Sequence, residues 1–195
     1  MKLSLVLFFL FPVFFSGNDW EQKLDKNGVS VYMRPSANSK IKSIRSVVRI
    51  NASPEKIKSI ILDIPHYPNW VYKCGKAEVI KKLSEKEIYY YQTTLAPFPV
   101  RDRDLVALVK VSEKENEIII TIKAQPDKVD RKKEMVRVEL FDSVWKIKKG
   151  KDQTEVTNEM TVDPGGGIPA WLVNSVSSEG PYNTSLKLRE TAERK

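Results

Sequence analysis

The chain contains one histidine, His66, and one cysteine, Cys74, and these are the first residues to test for nucleophilic chemistry. A Ser/His/acid or Cys/His site would have to use His66, because such a site needs an imidazole as its base. A single cysteine excludes an intrachain disulfide and a zinc site built on cysteines. The simpler interpretation is a surface imidazole and a small buried thiol. The sequence therefore predicts no catalytic residue, no metal and no cofactor.

A second candidate is the Asp-Pro-Gly-Gly-Gly segment at residues 163–167, which precedes a predicted helix. Backbone N–H groups at a helix N-terminus can hold a phosphate group. The segment lacks both the Walker lysine and the G-x-G-x-x-G spacing, so a tight turn is the favoured interpretation.

Length, composition and charge narrow the class of protein. The chain has 195 residues, 41% hydrophobic and 30% charged, which is typical of one globular domain. The net charge of +8 favours anionic partners. The basic clusters at 81–82, 131–133 and 148–149 lie at predicted turns and have no interleaved aromatic residues. We therefore expect no nucleic-acid binding.

Residues 1–17 are predicted to be a secretory signal peptide. Lys2 is followed by a thirteen-residue apolar stretch and then by Ser16 and Gly17. The stretch is too short to cross a bilayer as a helix, since it spans about 20 Å against a hydrocarbon core of about 30 Å. We expect export to the periplasm or the exterior, with residues 18–195 as the mature domain. The alternative is an uncleaved membrane anchor.

The periodicity of the mature chain predicts an α+β domain. Alternating or continuous apolar stretches predict strands at 28–34, 44–50, 77–81, 87–95, 103–111, 118–123, 135–140, 143–147 and 153–162. Ser53, Pro54 and Glu55 mark the start of a helix. A long helix over about 169–193 ends the chain, and we expect it to bend near Gly180 and Pro181.

The predicted sheet has to curl around the last helix to cover its apolar side. That side carries Ile168, Leu172, Val176 and Leu186. A curled sheet that grips one helix often leaves an internal hollow for a small hydrophobic ligand. The loop containing Pro97, Phe98, Pro99 and Val100 places apolar side chains where loops normally carry polar ones. These residues either plug the core or form a flap over the mouth of the hollow.

Four segments together resemble the START domain, the steroidogenic-acute-regulatory-related lipid-transfer family. They are residues 28–32, residues 67–70 with Cys74, residues 97–100 running into Arg103 and Asp104, and residues 163–172. They occur in the family's order from about 19 to 189, nearly the whole mature chain. The resemblance suggests an exported member of bacterial type.

The resemblance implies the helix-grip fold, a curved antiparallel β-sheet wrapped around a long C-terminal helix, with a tunnel for one lipid-like molecule. The loop before Arg103 and Asp104 and the last helix would form the gate. We interpret Arg103 and Asp104 as structural, a strand-edge ion pair and hydrogen-bond anchor. The residues that this resemblance places at the gate or tunnel are Trp70, Tyr90, Pro97, Phe98, Pro99, Val100, Val109, Trp171, Leu172 and Val176.

One departure from the family concerns the polar end of the ligand. Some sterol- and phospholipid-binding relatives place an acid and a basic residue inside the tunnel. The matching positions here fall near Tyr90 and Val109, so no such pair is carried over. Tyrosine hydroxyls or water would then meet the polar group of the ligand.

These observations predict a non-enzymatic, monomeric protein that binds a lipid or other hydrophobic molecule and transfers it during transient contact with an anionic membrane. An enzyme of the polyketide cyclase or aromatase type and a ligand-free interaction module are the alternatives. A buried Asp, Glu, Arg or His converging on the tunnel would favour the enzyme. An apolar tunnel with Tyr, Ser or Thr would favour the carrier.

Overall fold

The structure is a computed structural model that describes residues 20–36 and 39–194. The predicted signal peptide, residues 1–17, lies outside the described residues. No helix within the two described ranges is long and apolar enough to cross a membrane.

Ten strands of the described residues form one sheet in the order β1-β2-β3-β10-β9-β7-β6-β5-β4, and β8 pairs with β6 off this path. All neighbours are antiparallel except β8 and β6, which are parallel. The strands are β1 (Glu21–Lys26), β2 (Val29–Ser36), β3 (Ser39–Ile50), β4 (Cys74–Ser84), β5 (Glu87–Thr94), β6 (Arg103–Lys114), β7 (Glu117–Ala124), β8 (Val136–Arg137), β9 (Leu140–Lys149) and β10 (Thr154–Asp163).

The inner face of the sheet follows the alternation in the sequence. In β2, Val29, Val31 and Met33 are buried, whereas the residues between them are partly exposed. Successive side chains of a strand point to opposite faces, so alternate apolar residues reach one core. Each such aliphatic side chain contributes about 1.5–3 kcal/mol on full burial.

Two strands differ from the sequence prediction. The strand predicted over 135–140 is only the two-residue β8, which runs parallel to the start of β6 through the Arg103–Val136 pairing. Strand β1 was not predicted, because its residues are mostly charged and exposed and show no apolar alternation. It forms through backbone pairing with β2 at the edge of the sheet.

The first helix begins where the capping residues predict. Helix α1 (Pro54–Leu62) has Ser53 as its N-cap, and the Ser53 Oγ accepts a hydrogen bond of 3.2 Å from the Lys56 N–H. Ile57 and Ile61, one turn apart, are both buried. A 3-10 helix (Ile64–Asn69) follows and leads the chain back to the sheet edge at β4.

The single long C-terminal helix that the sequence predicted is two helices, α2 (Ala170–Val176) and α3 (Glu179–Glu193). The interruption is at Ser177 and Ser178, two to three residues before the bend predicted near Gly180 and Pro181. Pro181 lies in the first turn of α3, where the backbone N–H needs no helical partner. A proline ring clashes with the carbonyl four residues earlier, here Ser177, which explains why the helix breaks there.

Helix α3 is the helix that the sheet grips. Leu188 and Ala192 are fully buried against the core. The Ser185 hydroxyl lies 2.9 Å from the Ser46 hydroxyl of β3 in a buried hydrogen bond. The curved antiparallel sheet with a C-terminal helix confirms the predicted helix-grip fold.

Candidate functional site

A cavity of about 380 Å³ lies between the inner face of the sheet, the 67–72 segment and the two C-terminal helices. Its aromatic wall residues are Tyr67, Trp70, Tyr72, Tyr90, Phe141 and Trp145. Its aliphatic wall residues are Ile44, Ile61, Val71, Ile122, Met160, Val162, Val173 and Val176. Its polar wall residues are Gln92, Thr94, Ser143, Asn158, Ser177 and Thr184, and Pro164, Gly180 and Pro181 complete the lining.

Four aromatic rings form a connected edge-to-face row on one wall. Tyr67 contacts Trp70 with ring centroids 5.3 Å apart and Tyr90 with centroids 5.8 Å apart. Trp70 in turn contacts Trp145 at 6.3 Å. Edge-to-face contacts of this kind add about 0.5–1.5 kcal/mol per pair beyond the burial of area. The row therefore holds the wall in a fixed shape.

The polar wall residues reach the cavity because of strand alternation. Tyr90, Gln92 and Thr94 occupy alternate positions of β5 and share one face. On the facing strands, the Ser143 hydroxyl donates a hydrogen bond of 2.8 Å to Asn158 Oδ1, and both residues are buried. The cavity is thus apolar with a small neutral polar patch.

The electrostatic character of the cavity is neutral. Among the described residues that line it, none is Asp, Glu, Lys, Arg or His. Burial, the largest cause, raises the pKa of Tyr67 well above its ordinary value and also raises the pKa of Tyr90, so both phenols stay protonated. Tyr67 donates its hydroxyl hydrogen to the Ile61 carbonyl at 2.7 Å.

The two residues first considered for catalysis lie apart from this chemistry. His66 Nδ1 lies 2.8 Å from Asp63 Oδ2 at the surface, and both side chains are more than half exposed. Cys74 is buried, and desolvation raises the pKa of its thiol to about 11, so it is not a ready nucleophile. In the described ranges no cluster of His, Cys, Asp or Glu could hold a metal ion.

The Gly-rich segment is a tight turn, as predicted. Gly165, Gly166 and Gly167 all have positive φ, between 63° and 73°, which favours glycine at each position. Asp163 Oδ1 accepts a hydrogen bond of 2.9 Å from the Gly165 N–H. The Gly165 N–H is therefore already bonded to the carboxylate and is not available to a phosphate group.

Three of the ten predicted gate or tunnel residues line the cavity: Trp70, Tyr90 and Val176. Val109 does not line it, because this residue of β6 is fully buried in the hydrophobic core. Trp171 and Leu172 are 71% and 42% exposed on α2 and are absent from the lining.

The predicted flap lies outside the cavity lining as well. Pro97, Phe98, Pro99 and Val100 are all exposed. Phe98 is 97% exposed, so it neither plugs the core nor rests against the C-terminal helix. The loop nevertheless leaves the sheet at Thr94, which does line the cavity.

Arg103 and Asp104 do not pair with each other, because adjacent strand residues point to opposite faces. Asp104 pairs with Arg137 instead. Arg103 donates to the Pro164 carbonyl at 3.3 Å and also to the carbonyls of Gly165 and Arg101. The partners Arg137, Pro164 and Gly165 are distant in sequence, and Arg103 joins the 95–102 loop to the turn before α2.

Sequence reasoning missed Asn158, Ser143, Gln92 and Trp145 as cavity residues. The sequence of β10 did contain a usable signal. Val156, Asn158 and Met160 occupy every second position of this strand and therefore share one face. A polar residue on an otherwise apolar strand face points into the interior, where it needs a partner. The partner, Ser143 on β9, becomes visible only when the two strands are paired.

Comparison with known proteins decides the family. The START domain family matches residues 15–194 of the chain. The chain belongs to the START domain family. This START domain is 32% identical to an uncharacterised protein of Pseudomonas aeruginosa over 91% of this chain and 88% of that protein.

Two further relatives carry lipid-transfer names. A STAR-related lipid transfer protein of Xanthomonas axonopodis matches this START domain with a TM-score of 0.84 and 28% identity, over 90% of this chain and 99% of that one. The phosphatidylcholine transfer protein of Mus musculus is 23% identical over 86% of this chain and 81% of its own length.

A solved structure from a biosynthetic pathway shares the fold. The di-domain ARO/CYC protein BexL of the BE-7585A biosynthetic pathway matches with a TM-score of 0.57 and 13% identity, over 81% of this chain and 52% of that one. At this identity the likeness concerns the fold alone.

Proposed function

We propose that this START domain binds one hydrophobic molecule, a lipid, in its internal cavity and transfers it between membranes without chemical change. The observation that carries the proposal is a cavity lined, among the residues that the structure describes, by six aromatic and eight aliphatic side chains and by no charged one. The lipid-transfer names of the relatives support the same function.

Transfer needs only physical exchange. Burial of an acyl chain recovers about 0.8 kcal/mol per CH₂ relative to water. The bilayer interior is equally apolar, so movement from membrane to cavity is near neutral in free energy and reversible. No catalytic group is required for it.

The gate in this proposal consists of the 95–102 loop and helix α2. Thr94, Val173 and Val176 line the cavity next to these two segments. Both segments carry exposed apolar side chains, Phe98 on the loop and Trp171 on the helix. Exposed aromatic residues beside a cavity mouth suit contact with lipid.

Positive charge lies beside the loop. Arg101 Nη1 donates a hydrogen bond of 3.3 Å to the Lys133 carbonyl, which brings the basic 131–133 segment to the gate. Apolar side chains next to Arg and Lys favour contact with an anionic membrane surface. Each basic residue near such a surface adds about 1 kcal/mol to the binding free energy. The protein is proposed to act as a monomer in this encounter.

The enzyme alternative would need an acid, base or charged stabiliser facing the substrate. The cavity wall offers no Asp, Glu, Lys, Arg or His within the described ranges. We therefore favour the carrier.

The deciding experiment is lipid extraction and mass spectrometry of the protein purified from its own host, followed by vesicle-to-vesicle transfer of the extracted species. A co-purified lipid in one-to-one ratio, unchanged after transfer, is the expected result. Recovery of a chemically altered product would replace the carrier with an enzyme.

A further inference from the structure

We propose that the cavity selects lipids whose buried polar end is an uncharged hydrogen-bond acceptor, such as an ester or ketone carbonyl, and that the Asn158 carboxamide binds it. This inference rests on the proposed lipid-binding function and specifies the ligand class. It concerns residues that the predicted gate and tunnel set did not include.

The Asn158 carboxamide has one end fixed and the other end available. Its Oδ1 accepts the Ser143 hydroxyl hydrogen at 2.8 Å, which fixes the orientation of the amide plane. Its Nδ2 carries two hydrogens, and its one hydrogen-bond contact among the described residues is the Met160 sulfur at 3.9 Å. Thioether sulfur is a weak acceptor, so the amide donors are poorly satisfied.

Asn158 is only 5% exposed although it lines the cavity. A buried amide donor without a good acceptor costs about 1–3 kcal/mol. A ligand oxygen delivered into the cavity would remove that cost. The carboxamide is therefore complementary to an acceptor and not to a second donor.

Trp70, which also lines the cavity, supplies an independent observation. Its Nε1 is buried and has no hydrogen-bond partner within the described part of the chain. Indole Nε1–H is a donor only. Two poorly satisfied donors on residues that line one cavity indicate a ligand that brings acceptors.

The charge of the ligand follows from the neutrality of the wall. Over residues 20–36 and 39–194, the lining offers no cation for a carboxylate or phosphate and no anion for an ammonium group. Placing an isolated charge in such a site is far more costly than placing a neutral carbonyl there. The buried polar end is therefore uncharged.

The test uses three ligands with the same alkyl chain: the methyl ester, the free fatty acid at neutral pH and the parent hydrocarbon. A phosphatidylcholine is added as a probe of lipid binding only, because it carries ester carbonyls and a charged headgroup together. Binding to the full chain is measured by intrinsic fluorescence, since Trp70 and Trp145 both line the cavity. We expect the ester to bind more tightly than the fatty acid and the hydrocarbon.

Asn158→Leu should lower affinity for the ester about three- to tenfold, the effect of one lost hydrogen bond, and leave affinity for the hydrocarbon unchanged. The double variant Ser143→Ala with Asn158→Leu removes both partners of the internal hydrogen bond and should behave in the same way. Thr157→Val is the matched control, because Thr157 lies on the same strand with its side chain on the opposite face, and it should change neither affinity.

Two results would overturn the inference and leave lipid binding intact: tighter binding of the fatty acid than of the ester, or equal loss of ester and hydrocarbon affinity in both Asn158 variants. Failure of the unaltered protein to bind any of the four ligands would overturn the proposed function together with the inference.

Discussion

Asp104 and Arg137 are joined by two hydrogen bonds of 2.9 Å each, one from Nε and one from Nη2, and both side chains are 1% exposed. Arg137 also donates to the carbonyls of Val129, at 2.9 Å, and Asp130, at 3.1 Å, and to the carbonyl of Pro126. All the donors of the buried guanidinium therefore serve to fasten the 126–137 segment onto β6.

The first prediction concerns this ion pair. Asp104→Ala leaves the Arg137 charge buried without a counter-ion and should lower the free energy of unfolding by about 3–5 kcal/mol. Glu139→Gln is the control, because Glu139 pairs with Arg131 at a site where both side chains are more than half exposed. This variant should lower the free energy of unfolding by less than about 0.5 kcal/mol. Urea denaturation measures both. Equal losses in the two variants would show that burial does not set the strength of the pair.

The second prediction concerns the gate. Phe98→Asp should slow vesicle-to-vesicle lipid transfer strongly with little change in melting temperature, because a side chain that is 97% exposed adds almost nothing to the core. Val79→Asp on β4 is the matched control, an exposed apolar residue at the edge of the sheet, and should transfer lipid at the normal rate. A normal rate for Phe98→Asp would place the entrance elsewhere.

The third prediction concerns charge. Transfer to anionic vesicles should slow as salt rises from about 0.1 M to about 1 M, because the Debye length falls from about 10 Å to about 3 Å. Transfer between neutral vesicles should not depend on salt. The variant Arg101→Glu should show a weaker salt dependence than the unaltered protein. Salt-independent transfer to anionic vesicles would remove the electrostatic contribution from the proposal.

The fourth prediction concerns Cys74. Cys74→Ala should lower stability by about 1–3 kcal/mol and leave lipid binding unchanged, because the thiol fills space and does not react.

Alkaline pH provides an independent test of the buried thiol. Desolvation raises the pKa of Cys74 from about 9 to about 11, so the folded state favours the neutral thiol. Its contribution to stability is complete below pH 9 and is lost as pH rises towards 11. The unaltered protein should therefore lose more stability over this range than Cys74→Ala. If both proteins lost the same amount of stability between pH 9 and pH 11, the assignment of Cys74 as a buried neutral thiol would be contradicted.

The fifth prediction concerns the N-terminus. We propose that residues 1–17 direct export and are removed, so that the mature chain begins near Asn18. N-terminal sequencing of protein from the host should find that start in a periplasmic or secreted fraction. Full-length chain in the host's cytoplasm would contradict export, and full-length chain in the membrane fraction would indicate the uncleaved anchor.

Most of the architecture could be predicted from local patterns in the sequence. Such patterns were sufficient for most strands and for α1, because alternation and capping act between residues close in the chain. That the cavity residue Tyr90 brings no charge could also be inferred, since it depends on residue type. The edge strand β1 could not be predicted, because its residues are mostly charged and show no apolar alternation.

Contacts between side chains that are distant in the chain depend on the folded structure. The Asp104–Arg137 pair joins residues 33 positions apart, and the Ser143–Asn158 pair depends on the register of β9 against β10. A shift of one residue in that register would turn either polar side chain to the other face of the sheet. Register depends on which face of each strand is buried and on the turn that joins the strands, and so the polar patch of the cavity became visible only in the folded molecule.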